Sequence, residues 1–170
     1  MRQWPCTIPL MSLILGAGAA LASPASDLAG YYSLPPSPLS LPVEEPPPFV
    51  LALYPCGAAD LCGRIAGLGD LAEASAADFR NPVHAQRDRP LCGLQVLALH
   101  PAGGAWRGGF YDPTKGDNVA IKLQAEPDGT LRAEGYAGKP FLSRSFGFSP
   151  QHWKRITPAA ATCEHGQPAS

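Results

Sequence analysis

Apolar positions in this chain fall into short runs broken by turn residues, and the order of those runs predicts an all-β protein. Phe49 to Tyr54 is an apolar run stopped by Pro55, and Leu61 to Ile65 is its return partner across Gly57. Leu94 to His100 follows as a strand, then Trp106 to Tyr111 after the Gly103-Gly104 turn and Val119 to Leu123 after Lys115-Gly116-Asp117. Leu131 to Tyr136 comes after Asp128-Gly129, a hairpin signal. Phe141 to Phe146 and Trp153 to Ile156 complete the series. Strands recurring at about ten-residue spacing suggest a meander that closes into a barrel or sandwich. Two stretches break the pattern. Asp70 to Phe79 is Ala-rich and reads as two helical turns, and Asn81-Pro82 reads as N-cap and first residue of a short turn ending near Arg87.

The N-terminal segment has another pattern altogether. Arg2 is the only charge before Asp27, an apolar run extends from Ile8 to Leu21, and Ala20-Leu21-Ala22 matches an A-x-A cleavage site. This is the pattern of a secretory signal peptide over residues 1–22, too short and too rich in Gly and Ala to span ~30 Å of hydrocarbon. The mature chain is expected to begin at Ser23 and to be secreted or periplasmic, with no stable membrane span after processing. Ser33 to Pro48 then holds seven prolines with Glu44 and Glu45, which suits an extended, exposed loop and not a central strand. The chain divides accordingly into a signal peptide (1–22), an N-terminal strand and Pro-rich loop (23–48), a β-barrel domain (49–157) and a C-terminal tail (158–170).

Composition agrees with that division. Only 16% of residues are charged, whereas Gly numbers 18 and Pro 20, so turns are frequent and long helices scarce. The net charge of −1, one unit more negative without Arg2, argues against nucleic acid or an anionic membrane surface as partner. Cys6 leaves with the signal peptide, and the remaining Cys56, Cys62, Cys92 and Cys163 form an even set in an exported domain, which reads as two disulfides. Four cysteines allow three pairings. The expected one joins Cys56 to Cys62 across a tight turn and leaves Cys92 to tie Cys163 to the middle of the chain. A zinc site is the competing reading, but C-x(5)-C misses the usual C-x(2–4)-C spacing.

Several blocks, taken together and in order, carry a family resemblance. They are Tyr54-Pro55-Cys56-Gly57 with Leu61-Cys62-Gly63-Arg64-Ile65; Asp78, Asn81-Pro82 and Arg87-Asp88-Arg89-Pro90-Leu91-Cys92-Gly93-Leu94; and Trp106-Arg107-Gly108-Gly109-Phe110-Tyr111-Asp112-Pro113. Asp128-Gly129-Thr130-Leu131-Arg132, Gly135-Tyr136-Ala137-Gly138 and Trp153-Lys154-Arg155 continue the series. The chain resembles the small exported bacterial proteins called domain of unknown function 2147. That resemblance implies an antiparallel lipocalin-like (calycin-type) β-barrel with one or two short helical turns, and it implies no known activity. Three features depart from the family pattern: Gly30-Tyr31-Tyr32 replaces an opening Gly-x-Trp, the Pro-rich insertion is unusual, and the stretch from Arg144 to Gln151 is longer. Lipocalin-type barrels pack the opening Trp against an Arg of the last strand, which here implies Tyr32 stacked on Arg155.

Candidate chemistry is sparse. His84, His100, His152 and His165 show no metal-ligand spacing, and no Gly-x-Ser-x-Gly elbow is present. Glu73, Asp78 and Glu134 form no recognisable acid/base pair, so no catalytic residue, metal site or cofactor is expected. Asp78, Asn81, Arg87 and Arg89 form the densest polar cluster. Either the two arginines clamp an acidic ligand, or one of them pairs with Asp78 and pins the loop to the barrel; the second is the favoured reading. Among the aromatics, most of which belong in a core, Tyr111, Tyr136 and Phe141 are expected at the mouth of a cavity, with Arg87 and Arg89 at its gate. The expected function is non-catalytic binding of a small apolar or amphipathic ligand. The alternative is a structural or envelope module that binds another protein. If export follows the A-x-A signal, the intact mass of the exported protein starts at Ser23; a product retaining Arg2 in the membrane would remove that inference.

Overall fold

The computed structural model describes residues 24–35, 49–69, 77–136, 150–158 and 163. Eight antiparallel strands make one closed barrel in chain order: β1 (Gly30–Leu34), β2 (Phe49–Cys56), β3 (Asp60–Leu68), β4 (Gln95–Ala102), β5 (Ala105–Asp112), β6 (Asp117–Ala125), β7 (Leu131–Tyr136) and β8 (Gln151–Ile156). Each strand pairs with the next, and β1 closes the ring on β8, with Tyr32 opposite both Leu51 and Arg155. A single helical turn, α1 (Ala25–Leu28), precedes β1 and buries Leu28. The signal-peptide segment and the Phe141–Phe146 stretch lie outside the described residues, as does most of the Asp70–Phe79 stretch.

Turn chemistry places the connections. The β2–β3, β4–β5 and β6–β7 links are short and share one end of the barrel, where Gly57, Gly103-Gly104 and Asp128-Gly129 sit. The opposite end carries the β5–β6 turn and the described part of the β3–β4 link, residues 77–94. One end thus carries three hairpin turns, and the other, the loop end, carries the β3–β4 loop and the β5–β6 turn.

Three local expectations change. Pro55 does not stop β2 but lies within it, exposed and in register with Leu61. β1 reaches only to Leu53 of β2, so one side of Pro55 has no neighbouring strand to need its missing N–H. β3 also runs past Ile65 to Leu68. Asn81 caps no helix: the 3-10 turn is His84–Gln86, preceded by Val83, and Ala77 bridges Pro90 in place of continuing a helix. The Asn81 carboxamide oxygen instead accepts from the Val83 N–H at 2.8 Å, a local alternative to capping that Asn side chains offer.

Alternation along the strands fills the interior. Tyr32, Leu51, Leu61, Ile65, Leu97, Leu123, Leu131 and Trp153 are each less than 2% exposed, and Trp106 is buried beside them. Both expected disulfides are formed. Cys56–Cys62 spans the end of the β2–β3 hairpin, and Cys92–Cys163 holds the tail beside β3, where the Cys163 N–H donates to the Ala66 carbonyl. Replacing Cys92 and Cys163 together by Ser removes a constraint between residues 71 apart and should lower stability by ~4 kcal/mol. Urea denaturation of the double variant measures this; a loss under ~1 kcal/mol would show that the unfolded chain is not what the crosslink restrains.

Candidate functional site

The loop end of the barrel holds a cleft of about 160 Å³. Phe110, Ile121, Ala133 and Trp153 form its apolar walls, and Asp112, Lys115 and Gln151 stand at strand ends and in the β5–β6 turn around it. Lys115 Nζ lies 3.4 Å from the Asp112 carboxylate, so the rim presents both signs of charge. Thr114 donates its N–H and its hydroxyl to Asp112 Oδ1 and shapes the turn. The leucines, Tyr32 and Trp106 form one buried cluster in the barrel interior.

Strand alternation decides which expected residues reach this cleft. Phe110 faces it, so Tyr111, the next residue on β5, points to the outer wall. Gly135 faces it, so Tyr136 on β7 also points outward. Neither tyrosine lines the cleft, contrary to the expected placement at the mouth, and Phe141 lies outside the described residues. Phe110 and Trp153 are the rings that do line it. A choice of register for β5 and β7 from their buried neighbours Trp106 and Leu131 is the signal that finds them.

Tyr111 instead anchors a polar network on the outer wall. Asp78 is buried, and its carboxylate accepts from the Tyr111 hydroxyl at 2.6 Å, the Asn81 amide at 2.8 Å and Arg89 Nε at 2.8 Å. Arg89 Nη2 lies 2.7 Å from the same carboxylate, and its guanidinium stacks 5.4 Å from the Tyr111 ring centre. The loop's backbone joins in: the Asp78 N–H donates to the Arg89 carbonyl, and Arg87 Nε donates to the Asn81 carbonyl at 2.9 Å. A buried carboxylate is tolerable only when paired and hydrogen-bonded, and Asp78 is both. The ion pair is thus Asp78–Arg89, the loop-pinning arrangement, while Arg87 braces the backbone. Gly116 completes the seat, because a Cβ there would collide with the Arg80 carbonyl oxygen.

Tyr136 donates to Glu134 at 2.7 Å, and that hydrogen bond holds the Glu134 carboxyl below its ordinary range, with Lys122 and Arg132 adding to the effect. Among the described residues no group of three or more His, Cys, Asp or Glu is placed to hold a metal ion, and no helix is long and apolar enough to cross a membrane.

Comparison with known proteins agrees with the sequence blocks. A family model described as "Uncharacterized protein conserved in bacteria (DUF2147)" matches residues 45–155. Among solved structures, the barrel is similar to HP1028 of Helicobacter pylori, a protein described as belonging to the lipocalin family. The TM-score is 0.60 at 17% identity, over 76% of this chain and 83% of that one. No curated protein matches the chain.

Burial raises the Tyr111 pKa above its ordinary value, and the hydrogen bond to Asp78 raises it further. The folded pKa therefore exceeds the unfolded one, so Tyr111 contributes stability below pH ~10 that is lost as pH rises through the folded value. Tyr111→Phe should cost ~1.5–3 kcal/mol at neutral pH, since it strips a hydrogen bond from a buried carboxylate. It should also flatten the alkaline limb of the stability profile. Denaturation at pH 7 and above pH 10 reads both effects, and an unchanged alkaline limb would show that Tyr111 does not carry it.

Proposed function

Because the chain belongs to the bacterial DUF2147 family, whose description assigns no activity, we propose that it binds one small amphipathic molecule without chemistry, at the open end of an exported lipocalin-like barrel. The observation that carries this reading is the cleft bounded by Phe110, Ile121, Ala133 and Trp153 with Asp112, Lys115 and Gln151 around it. An apolar pocket with a few polar groups at one side is the usual form of a small-molecule site. The two disulfides support a place outside the cytoplasm, and cleavage after Ala22 would deliver the chain there.

Size defines the ligand. Drug-sized pockets run to ~300 Å³ and above, whereas a cavity of ~150 Å³ accepts a molecule such as benzene. At about 160 Å³ the cleft takes one ring or a short branched alkyl group and leaves the rest of the ligand at the rim. A long acyl chain is too large to be enclosed by the described walls. Asp112 and Lys115 meet polar head groups of either sign. Arg87 and Arg89 are engaged with the loop itself, which favours positioning over direct contact with a ligand.

A short aromatic amphiphile tests the reading. Phenylacetate or benzylamine should produce saturable shifts in the amide resonances of Ile121, Ala133 and Gly135 at millimolar concentration or below. Ala133→Leu, which fills the cleft, should abolish them, and Tyr136→Phe on the outer wall should leave them unchanged. If no such probe gives saturable shifts, the protein-interaction module replaces the binding protein as the better reading.

A further inference from the structure

Charge along the strands is sorted in a way that composition hides. Leaving aside strand ends, the charged residues whose positions alternate outward on the eight strands are Arg64, Arg107, Lys122, Arg132, Lys154 and Glu134. Five are cations and one is an anion, in a chain whose formal net charge is −1. The other carboxylates of the described residues sit in turns, loops or strand ends, or are buried like Asp78. The wall of the barrel is therefore basic although the protein is not.

The cations gather on β5, β6 and β7. Arg107 is directly opposite Lys122, and Lys122 is directly opposite Glu134. Like charges opposite one another on neighbouring strands repel, so this pair calls for an anion. Glu134 answers only in part. Its two oxygens already serve Arg132 at 2.7 Å, Lys122 at 3.5 Å and the Tyr136 hydroxyl. Arg107 is exposed and has no ion pair or hydrogen bond among the described residues. Beside this row, Ala98, Gly109 and Ala120 form a floor of small residues across three strands, and a Cβ at Gly109 would touch nothing within 4 Å. Arg107, Lys122 and Arg132 thus border a low surface on the outer face of the barrel.

We propose that this wall docks the protein on an anionic phospholipid surface. The apolar part of such an attachment is present as well. The loop pinned to Tyr111 on the same wall carries Phe79 and Val83, which are 55% and 51% exposed and are the large exposed apolar residues of the described chain. Cations along the strands and exposed apolar side chains on a loop of the same face suit the interface of a charged bilayer, where headgroups meet acyl chains. An acidic peptide or glycan would use the cations but has no need of Phe79 and Val83. Net charge averages over the whole chain, whereas strand register brings Arg107, Lys122 and Arg132 together on one face. The inference is independent of the cleft, which opens at the end of the barrel and not on its side.

Flotation of the folded mature protein with phosphatidylcholine vesicles, with and without half their lipid replaced by phosphatidylglycerol, tests it. Binding should require phosphatidylglycerol and should fall at ~0.5 M salt, where charges more than ~4 Å apart are screened. The Arg107→Ala/Lys122→Ala double variant should bind roughly 25-fold more weakly, which is about 1 kcal/mol for each cation. Phe79→Ala should also weaken binding, Glu134→Gln should strengthen it, and Arg64→Ala on β3 should leave it unchanged. Circular dichroism confirms that each variant is folded. Equal flotation with neutral vesicles, no flotation at all, or an undiminished double variant would overturn the proposal. So would retention on immobilised poly-glutamate without binding to vesicles.

Discussion

Every backbone donor and acceptor in an eight-stranded sheet is paired only if the first strand meets the last. Here β1 is short, and it meets β8 through Tyr31, Tyr32 and Ser33 opposite Ile156, Arg155 and Lys154. Arg155 makes that seam. Its guanidinium donates to the Ala29 carbonyl and lies 5.9 Å from the centre of the Tyr32 ring, and a side chain at Gly30 would press into it. Burial raises the Tyr32 pKa, with Arg155 pulling the other way, which keeps the phenol neutral against its cation. Tyrosine fills the role expected of a tryptophan because the contact needs an aromatic face beside a guanidinium, and Tyr32 supplies one while its body stays buried. Closure also removes the free edges through which sheets aggregate.

Once the ring is closed, alternation splits the strands into two populations with different work. Inward positions form the buried cluster of the described residues and border a small cleft at the loop end. Outward positions carry the polar contacts, among them the Asp78 network and the basic row of Arg107 and Lys122. Tyr111 shows how the populations are coupled. It leaves the core side of β5 to Phe110 and uses its hydroxyl to seat a loop whose Arg80 backbone rests on Gly116. The same loop is tied through Cys92 to the C-terminal tail. The rim beside the cleft is therefore held by a buried ion pair, a phenolic hydrogen bond and a disulfide.

Much of this was legible along the chain. Short apolar runs between Gly- and Asp-rich turns determined the strands from β2 to β8 that fall within the described residues, to within a few positions at each end, because turn chemistry is local. Cysteine count and the expected pairing were right for a reason equally simple: a hairpin brings Cys56 and Cys62 together, which leaves Cys92 and Cys163. The Asp78–Arg89 pairing was one of two readings open from proximity in sequence, and burial of Asp78 chose between them. Pro55 and Asn81 were misread because each obeys a neighbour outside its own segment. Pro55 stays in a strand since β1 is too short to need its N–H, and Asn81 turns its side chain to Asp78 and Tyr111 in place of a helix end.

The chain by itself, then, determined strand positions, turns, the number of disulfides and the family, all of which rest on interactions between near neighbours or on counting, while the pairing of Cys92 with Cys163 was an expectation. Only the tertiary structure decided which side of the wall each residue occupies and how full the barrel is. A shift of one position turns every side chain of a strand to the other face, so Tyr111 and Phe110 exchange roles on a difference that residue type does not encode. Cleft volume is what remains after the side chains of eight strands interdigitate, and no segment contains that sum. Charge followed the same rule: cations far apart in sequence, at Arg107, Lys122 and Arg132, became neighbours because strand register set them side by side.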